Sequence, residues 1–197
     1  MDLLDSSSNT GQMLRSKRDS QLRPMIETGK ATLADGKRIA EIQVAGWKAG
    51  YRGILPDGFL DRLNPEPRAS MWERFIQTEE GLMLVARSFS ELVGFCHLIP
   101  SRDADGEHRA EIAALYVHPD HWRSGCGRRL FEVALASAAE QGYAGITLWV
   151  LTENSRGRGF YEAMGMQPDG AMKVEDGPGC ALHEVRYRIE LSACGSS

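Results

Sequence analysis

The sequence predicts a mixed α/β domain: a central, largely antiparallel seven-stranded sheet flanked by about four helices. Three observations carry that expectation. A strand-like run, Ala110 to Val117, passes through a glycine-containing turn into a helical period starting at Arg128. Two apolar runs, Leu82 to Arg87 and Leu92 to Ile99, are separated only by the polar link Ser88 to Glu91, which is the pattern of a hairpin. Near the C-terminus Val185, Tyr187, Ile189 and Leu191 alternate with Glu184, Arg186, Arg188 and Glu190, the period of a half-exposed strand.

Composition bounds the class before any motif is read. A chain of 197 residues, 42% hydrophobic and 25% charged, falls in the range of one globular domain. No apolar stretch approaches the roughly 18 to 20 residues of a spanning helix, so a membrane partner is not expected. With 23 Lys and Arg against 27 Asp and Glu, the net charge of −4 gives no basic footprint for nucleic acid. The four cysteines, at 96, 126, 180 and 194, form no CxxC pair. That speaks against a zinc site or a disulfide scaffold and fits a reduced, cytoplasmic setting, with no metal expected.

Residues 1–24 read differently from the rest. Ser6-Ser7-Ser8-Asn9-Thr10-Gly11-Gln12 is polar and without apolar period, and the basic cluster Arg15, Lys17, Arg18 follows it. A secretory signal would place an apolar run after the charges. The expectation is a disordered leader over 1–24 and a single domain over 25–197.

From Met25 the elements follow in order. Thr32-Leu33-Ala34-Asp35 has the form of a capping box, which ties the first free amides of a helix to side-chain oxygens. Ile39, Ile42 and Gly46 then share one helical face, with Trp47 close by. Tyr51-Arg52-Gly53-Ile54-Leu55-Pro56 interrupts that helix, and Trp72, Phe75 and Ile76 mark a second one. After the hairpin and the central strand–turn–helix, Phe131, Ala134, Leu135 and Ala138 repeat at i, i+3, i+4, i+7. Ile146 to Leu151 is a short apolar run that reads as a buried strand, and a helix is expected around Phe160 to Met164. Ala171 to Glu175, a turn at Asp176-Gly177-Pro178-Gly179, and Leu182 to Leu191 close the chain as a hairpin.

The segment Leu115-Tyr116-Val117-His118-Pro119-Asp120-His121-Trp122-Arg123-Ser124-Gly125-Cys126-Gly127-Arg128 is the most informative. The first amides of a helix have no intrahelical acceptor, and the helix dipole adds partial positive charge there. Gly125 and Gly127 let a phosphate approach the backbone, and Arg123, Arg128 and Arg129 add charge, so the turn suits a diphosphate. Two phosphate motifs fail against it. GxxxxGK followed by Ser or Thr has no match, and the dinucleotide pattern GxGxxG lacks its third glycine because Leu130 stands there.

Together with Glu111, the turn resembles motif A of the GNAT superfamily of N-acetyltransferases, whose pattern Q/R-x-x-G-x-G/A aligns with Trp122-Arg123-Ser124-Gly125-Cys126-Gly127. Trp122 departs from the usual Gln or Arg. Asn154-Ser155-Arg156-Gly157-Arg158-Gly159-Phe160-Tyr161-Glu162-Ala163-Met164-Gly165-Met166 is similar to motif B, N-x-x-A-x-x-F-Y-x-x-x-G-F, with Gly157 for Ala and Met166 for Phe. The resemblance covers residues 111–166.

The resemblance implies a GNAT-like acyl-CoA N-acyltransferase fold and an enzyme transferring the acetyl group of acetyl-CoA directly to an amine of a small molecule, peptide or protein. It also implies that the pantetheine arm lies along the motif A strand near Leu115, Tyr116 and Val117. The turn Arg123, Ser124, Gly125, Cys126, Gly127 and Arg128 would take the diphosphate, and Asn154 would reach the cofactor from the other side. Asn154 also reads as a plain helix N-cap.

Transfer to an amine requires loss of a proton from an ammonium of pKa about 10.4, a donor for the oxyanion, and a proton for a thiolate of pKa about 8.5. By family position Tyr161 is the proton donor, its phenol being neutral at physiological pH. Glu111 is the candidate base; six residues before Val117, it shares that residue's strand face if no bulge intervenes. Glu41 and Glu184 stand as alternatives. Trp47, Tyr51 and Arg52 fall where the family builds its acceptor pocket. A homodimer is compatible with the family, and a non-catalytic acyl-CoA sensor is the alternative function.

Overall fold

A computed structural model describes residues 25–191, so the expectation for 1–24 lies outside the described residues. The sheet has seven strands: β1 (Ile26–Lys30), β2 (Leu82–Ser88), β3 (Glu91–Pro100), β4 (Arg109–Val117), β5 (Gly145–Leu151), β6 (Gln167–Asp176) and β7 (Ala181–Glu190). Their spatial order is β1-β2-β3-β4-β5-β7-β6. Every neighbouring pair is antiparallel except β4 with β5. Parallel neighbours need a crossover, and a helix supplies it.

Among the described residues, five α-helices accompany the sheet: α1 (Gly36–Gly50), α2 (Asp57–Asp61), α3 (Glu66–Gln77), α4 (Cys126–Glu140) and α5 (Ser155–Ala163). Helix α4 covers one face of the sheet. There Leu130, Phe131, Ala134 and Ala138 pack with Val93, Cys96, Ala110, Ile112, Ile146 and Leu148. Helices α1 and α3 cover the other face, where Ile39, Ile42 and Trp72 meet Met83, Val85, Phe95 and Ala114. A smaller cluster of Leu55, Leu60 and Leu151, with Trp47, Phe59 and Leu182 against it, ties the α1–α2 corner to β5 and β7.

Local chemistry fixes the element ends. The expected capping box opens a single 3-10 turn, Leu33–Asp35, rather than α1 itself. The Thr32 amide donates to Asp35 Oδ2 at 2.9 Å, and Arg87 pairs with the same carboxylate at 2.6 Å, anchoring the entry of α1 to β2. Two elements were absent from the sequence expectations. Strand β1 is a five-residue edge strand containing Gly29 and held mainly by backbone pairing to β2, so its side chains carry no alternating signal. Helix α2 is a single turn and a half inside the segment that interrupts α1. Helix α5 begins five residues before Phe160, because Asn154 caps it by accepting from the Gly157 amide at 2.9 Å.

Candidate active site

β4 and β5 pair at only three positions, Arg109 with Gly145, Ala110 with Ile146 and Glu111 with Thr147. Beyond them the strands part, while β4 stays paired to β3 as far as Val117 and β5 to β7 as far as Leu151. The result is a wedge whose walls carry unsatisfied strand edges. His118 donates its amide to Val93 on β3 at 2.8 Å. By the alternation of an antiparallel ladder, the amides of Leu115 and Val117 therefore point into the wedge. The wedge opens into a cleft of about 1230 Å³, room for more than one drug-sized ligand.

A bulge shapes the floor. His97 pairs with Ala114 and Leu98 with Ile112, so Ala113 has no partner on β3 and faces the cleft. The extra residue reverses strand parity. Ile112 and Val117 point to the α4 face, and Ala114 and Tyr116 to the α1–α3 face. Glu111 is thereby placed on the face opposite Val117, which corrects the shared-face expectation. It is 2% exposed, does not line the cleft, and is held by Arg102, whose Nε donates to Oε2 at 3.1 Å and whose Nη2 pairs with Oε1.

At the mouth, the glycine turn is built by left-handed backbone at Arg123 (φ +63°) and Gly125 (φ +91°). A Cβ at Gly125 would meet nothing, so the space above the N-terminus of α4 is open. Ser124 Oγ accepts from the Cys126 amide at 3.3 Å, whereas the amides of Gly127 and Arg128 have no acceptor within the helix. Arg123, Gly125, Gly127 and Arg128 line the cleft. This donor set fits a diphosphate. Ser124 and Cys126 do not line it: Ser124 Oγ donates to the His121 carbonyl at 2.7 Å, and the Cys126 side chain is 1% exposed in the core. Burial pushes the Cys126 thiol up to about 11, the reverse of what a nucleophile needs. Arg129 turns away toward Glu132.

Trp122, the departure from motif A, has a structural role. Its Nε1 donates to the Val117 carbonyl at 2.8 Å, bracing the end of β4. The Arg156 guanidinium lies 4.1 Å from the centroid of its ring and also lines the cleft. A cation thus reaches this position from α5, on the far wall. Sequence reading missed Arg156; the signal was an arginine two residues after Asn154 facing a motif A aromatic. Gly157, the departure from motif B, is explained by Asn154, because a Cβ there would come within 2.6 Å of Asn154 Nδ2.

Deep in the wedge, Tyr161 lines the cleft with its ring 5.3 Å from Phe160 and 6.4 Å from Tyr187. Burial raises its phenol well above the ordinary tyrosine value, with Tyr116 and Cys96 adding to the effect. Trp47 Nε1 donates to Tyr116 Oη at 2.8 Å, and Gly46 lets α1 approach, since a Cβ there would already sit 3.1 Å from the Tyr116 ring. Tyr51 is raised first by burial, then by the neighbouring Tyr116, Tyr161 and Glu184. The cleft therefore brings Tyr51, Tyr116, Tyr161 and Glu184 together. Glu184 pairs with Lys173 at 3.1 Å. Of the expected acceptor-pocket residues, Trp47 and Tyr51 line the cleft but Arg52 does not, being tied to Asp57 and Asp61 on the surface. Among the described residues, no group of three or more His, Cys, Asp or Glu is arranged to hold a metal.

Residues 47–166 match the family model described as Acetyltransferase (GNAT) family. The Probable N-acetyltransferase Rv2775 of Mycobacterium tuberculosis is 31% identical over 163 residues, covering 81% of this chain and 90% of that protein. The spermidine N(1)-acetyltransferase of Thermoplasma acidophilum is 26% identical over 159 residues, covering 78% of this chain and 92% of that protein. Among solved structures, the PaiA N-acetyltransferase from Thermoplasma acidophilum in complex with coenzyme A superposes with a TM-score of 0.63 at 24% identity, over 84% of this chain and 99% of that one.

Proposed function

The chain belongs to the acetyltransferase (GNAT) family, and from that premise we propose that its wedge binds acetyl-CoA and transfers the acetyl group directly to an amine. The observation that carries this is the parting of β4 and β5 after Glu111, with Tyr161 inside the wedge and the glycine turn at its mouth. Bound acetyl-CoA supplies a thioester activated toward amines.

The chain's own groups divide the work. Gly127 and Arg128 amides, with Arg123, Arg128 and Arg156, hold the diphosphate. The outward amides of Leu115 and Val117 orient the amide-bearing arm along β4, and Asn154 closes from the opposite wall. The bulge at Ala113 frees a strand amide to meet negative charge developing on the acetyl oxygen, where a preorganised donor counts most.

The acceptor arrives as an ammonium and loses a proton to Glu184, directly or through water. The base is assigned to Glu184 rather than Glu111, because Glu184 lines the cleft and Glu111 is enclosed by Arg102. Tyr161, kept protonated by burial, gives its proton to the departing thiolate.

The test is thermal unfolding with and without acetyl-CoA, followed by detection of free thiol with a pool of amines. A ligand present at about 100 times its Kd stabilises by about 2.7 kcal/mol, so a clear rise in Tm is expected. Unchanged Tm at millimolar acetyl-CoA overturns the reading. Stabilisation without thiol release from any amine favours a sensor.

A further inference from the structure

Helix α3 places in the cleft an arginine that has no carboxylate partner among the described residues. Arg68 lies in the first turn of α3, where the helix dipole disfavours a cation. It is half-buried, with its guanidinium 4.7 Å from the centroid of the Trp47 ring. Its Nη1 donates to Gln43 Oε1 at 3.3 Å, an oxygen that Trp72 Nε1 already occupies at 3.0 Å. Among the described residues no carboxylate comes within 4.0 Å of it, whereas the buried or half-buried Arg87, Arg109 and Arg186 each have one. A guanidinium presents a planar fork matched to a carboxylate, and a cation in a half-buried site is costly without one.

The position separates Arg68 from the diphosphate group. Arg123 lies in the turn before α4 and Arg128 in its first turn, on the opposite face of the sheet from α3. Arg68 instead shares the acceptor end of the cleft with Trp47, Tyr51, Phe59 and Met71, a largely aromatic wall. Glu184 lines the same cleft, and both charges act on the Tyr116 phenol in opposite directions. The cleft therefore carries a cation, Arg68, stacked on the Trp47 ring that donates to Tyr116, and an anion, Glu184, whose carboxylate also pairs with Lys173.

We propose that the acceptor is a small zwitterion, an apolar or aromatic α-amino acid whose carboxylate pairs with Arg68 while its amine faces Glu184. This rests on the acetyl-transfer reading above and narrows its substrate class. A polyamine, which has no group for Arg68 and would be repelled by it, is disfavoured.

The experiment compares thiol release from acetyl-CoA with L-phenylalanine, L-phenylalaninol and spermidine, in wild type, Arg68→Gln and Arg68→Lys. Phenylalaninol replaces the carboxylate by a neutral hydroxymethyl group and keeps a basic amine. Wild type is expected to prefer phenylalanine over phenylalaninol by about 10- to 100-fold in kcat/KM, mainly through KM. In Arg68→Gln the ratio should collapse to about threefold or less, chiefly through a higher KM for phenylalanine; Arg68→Lys should fall between. Acetyl-CoA affinity, measured by calorimetry on each protein, should not change. The inference is overturned by equal use of the two probes, by preference for spermidine, by no turnover of any probe with acetyl-CoA bound, or by a preference that survives Arg68→Gln. Failure of the wild type to bind acetyl-CoA overturns the parent reading, and this inference with it.

Discussion

The Arg156 guanidinium stacks 4.1 Å from the centroid of the Trp122 ring, joining the N-terminus of α5 to the turn that precedes α4. Both residues line the cleft, on opposite sides of the diverging strands. The contact supplies a cation beside the glycine turn where the motif A sequence has lost one. Arg156→Ala should therefore raise the Kd for acetyl-CoA about 3- to 10-fold, with the difference shrinking at high salt. Calorimetric titration at two ionic strengths checks this, and an unchanged Kd at low salt contradicts it.

Gly125 should tolerate no side chain without cost. Its φ of +91° is a backbone that L-residues rarely adopt, although the space beside it is open. Gly125→Ala should lower unfolding free energy by about 1 kcal/mol and weaken acetyl-CoA binding by distorting the amides that follow. Urea unfolding with and without acetyl-CoA separates the two effects, the second appearing as a reduced ligand-induced shift.

Glu184→Gln should lower kcat at least about 100-fold while leaving acetyl-CoA affinity intact, because the proposed mechanism has the lost group act on the acceptor. Glu111→Gln should do the opposite. Its carboxylate is buried against Arg102, so the expected loss is in stability, about 1 to 3 kcal/mol, with kcat of the folded enzyme close to wild type. A kcat loss for Glu111→Gln larger than that for Glu184→Gln would return the base role to Glu111.

The sequence made the two halves of this site legible to different degrees. The motif A turn and the motif B helix depend on glycine, arginine and capping chemistry within short segments, so Gly125, Arg128 and Asn154 could be read locally. The α4 period and the alternation in β7 were equally local. What could not be read is what depends on pairing. The bulge at Ala113 exists only relative to β3, and it alone moves Glu111 off the expected face. Arg68 and Glu184 are separated by more than a hundred residues and meet at the cleft only because α3 and β7 converge on it. Strand β1, too short and polar to signal itself, needs β2 to define it.

Arg186 binds the loop before β4 to the closing hairpin. It reaches Asp103 at 3.0 Å, Asp105 at 2.6 Å and Asp169 at 2.7 Å, and is itself buried. Arg186→Met leaves Asp103 without its cation and Asp169 with only the longer contact to Arg188 at 3.5 Å, and should cost about 3 kcal/mol at pH 7. The hydrogen bond from Arg186 holds Asp105 down to about 2, below its ordinary carboxylate value. A lowered acid pKa adds stability above the unfolded value that is lost as pH falls through the folded one. Asp105→Asn should thus flatten the fall in stability between about pH 4 and pH 2, measured by urea unfolding across that range.

Because burial raises the Tyr161 phenol, its proton is retained throughout the neutral and mildly alkaline range. A raised pKa keeps the donor form present until pH climbs past the shifted value. The kcat profile should therefore rise with deprotonation of the acceptor and show no descending limb below about pH 9. A descending limb centred below that pH, absent in Tyr161→Phe, would mean that the phenol ionises early.

The most direct measurement is thiol release from acetyl-CoA, with the acceptor that supports the highest wild-type rate, by Tyr161→Phe at pH 7.5. Proton donation from the phenol predicts a kcat lower by about 100-fold or more, with KM for acetyl-CoA within about twofold of wild type. A kcat equal to wild type would contradict the account, since the phenol proposed to protonate the leaving thiolate would then have no part in the transfer.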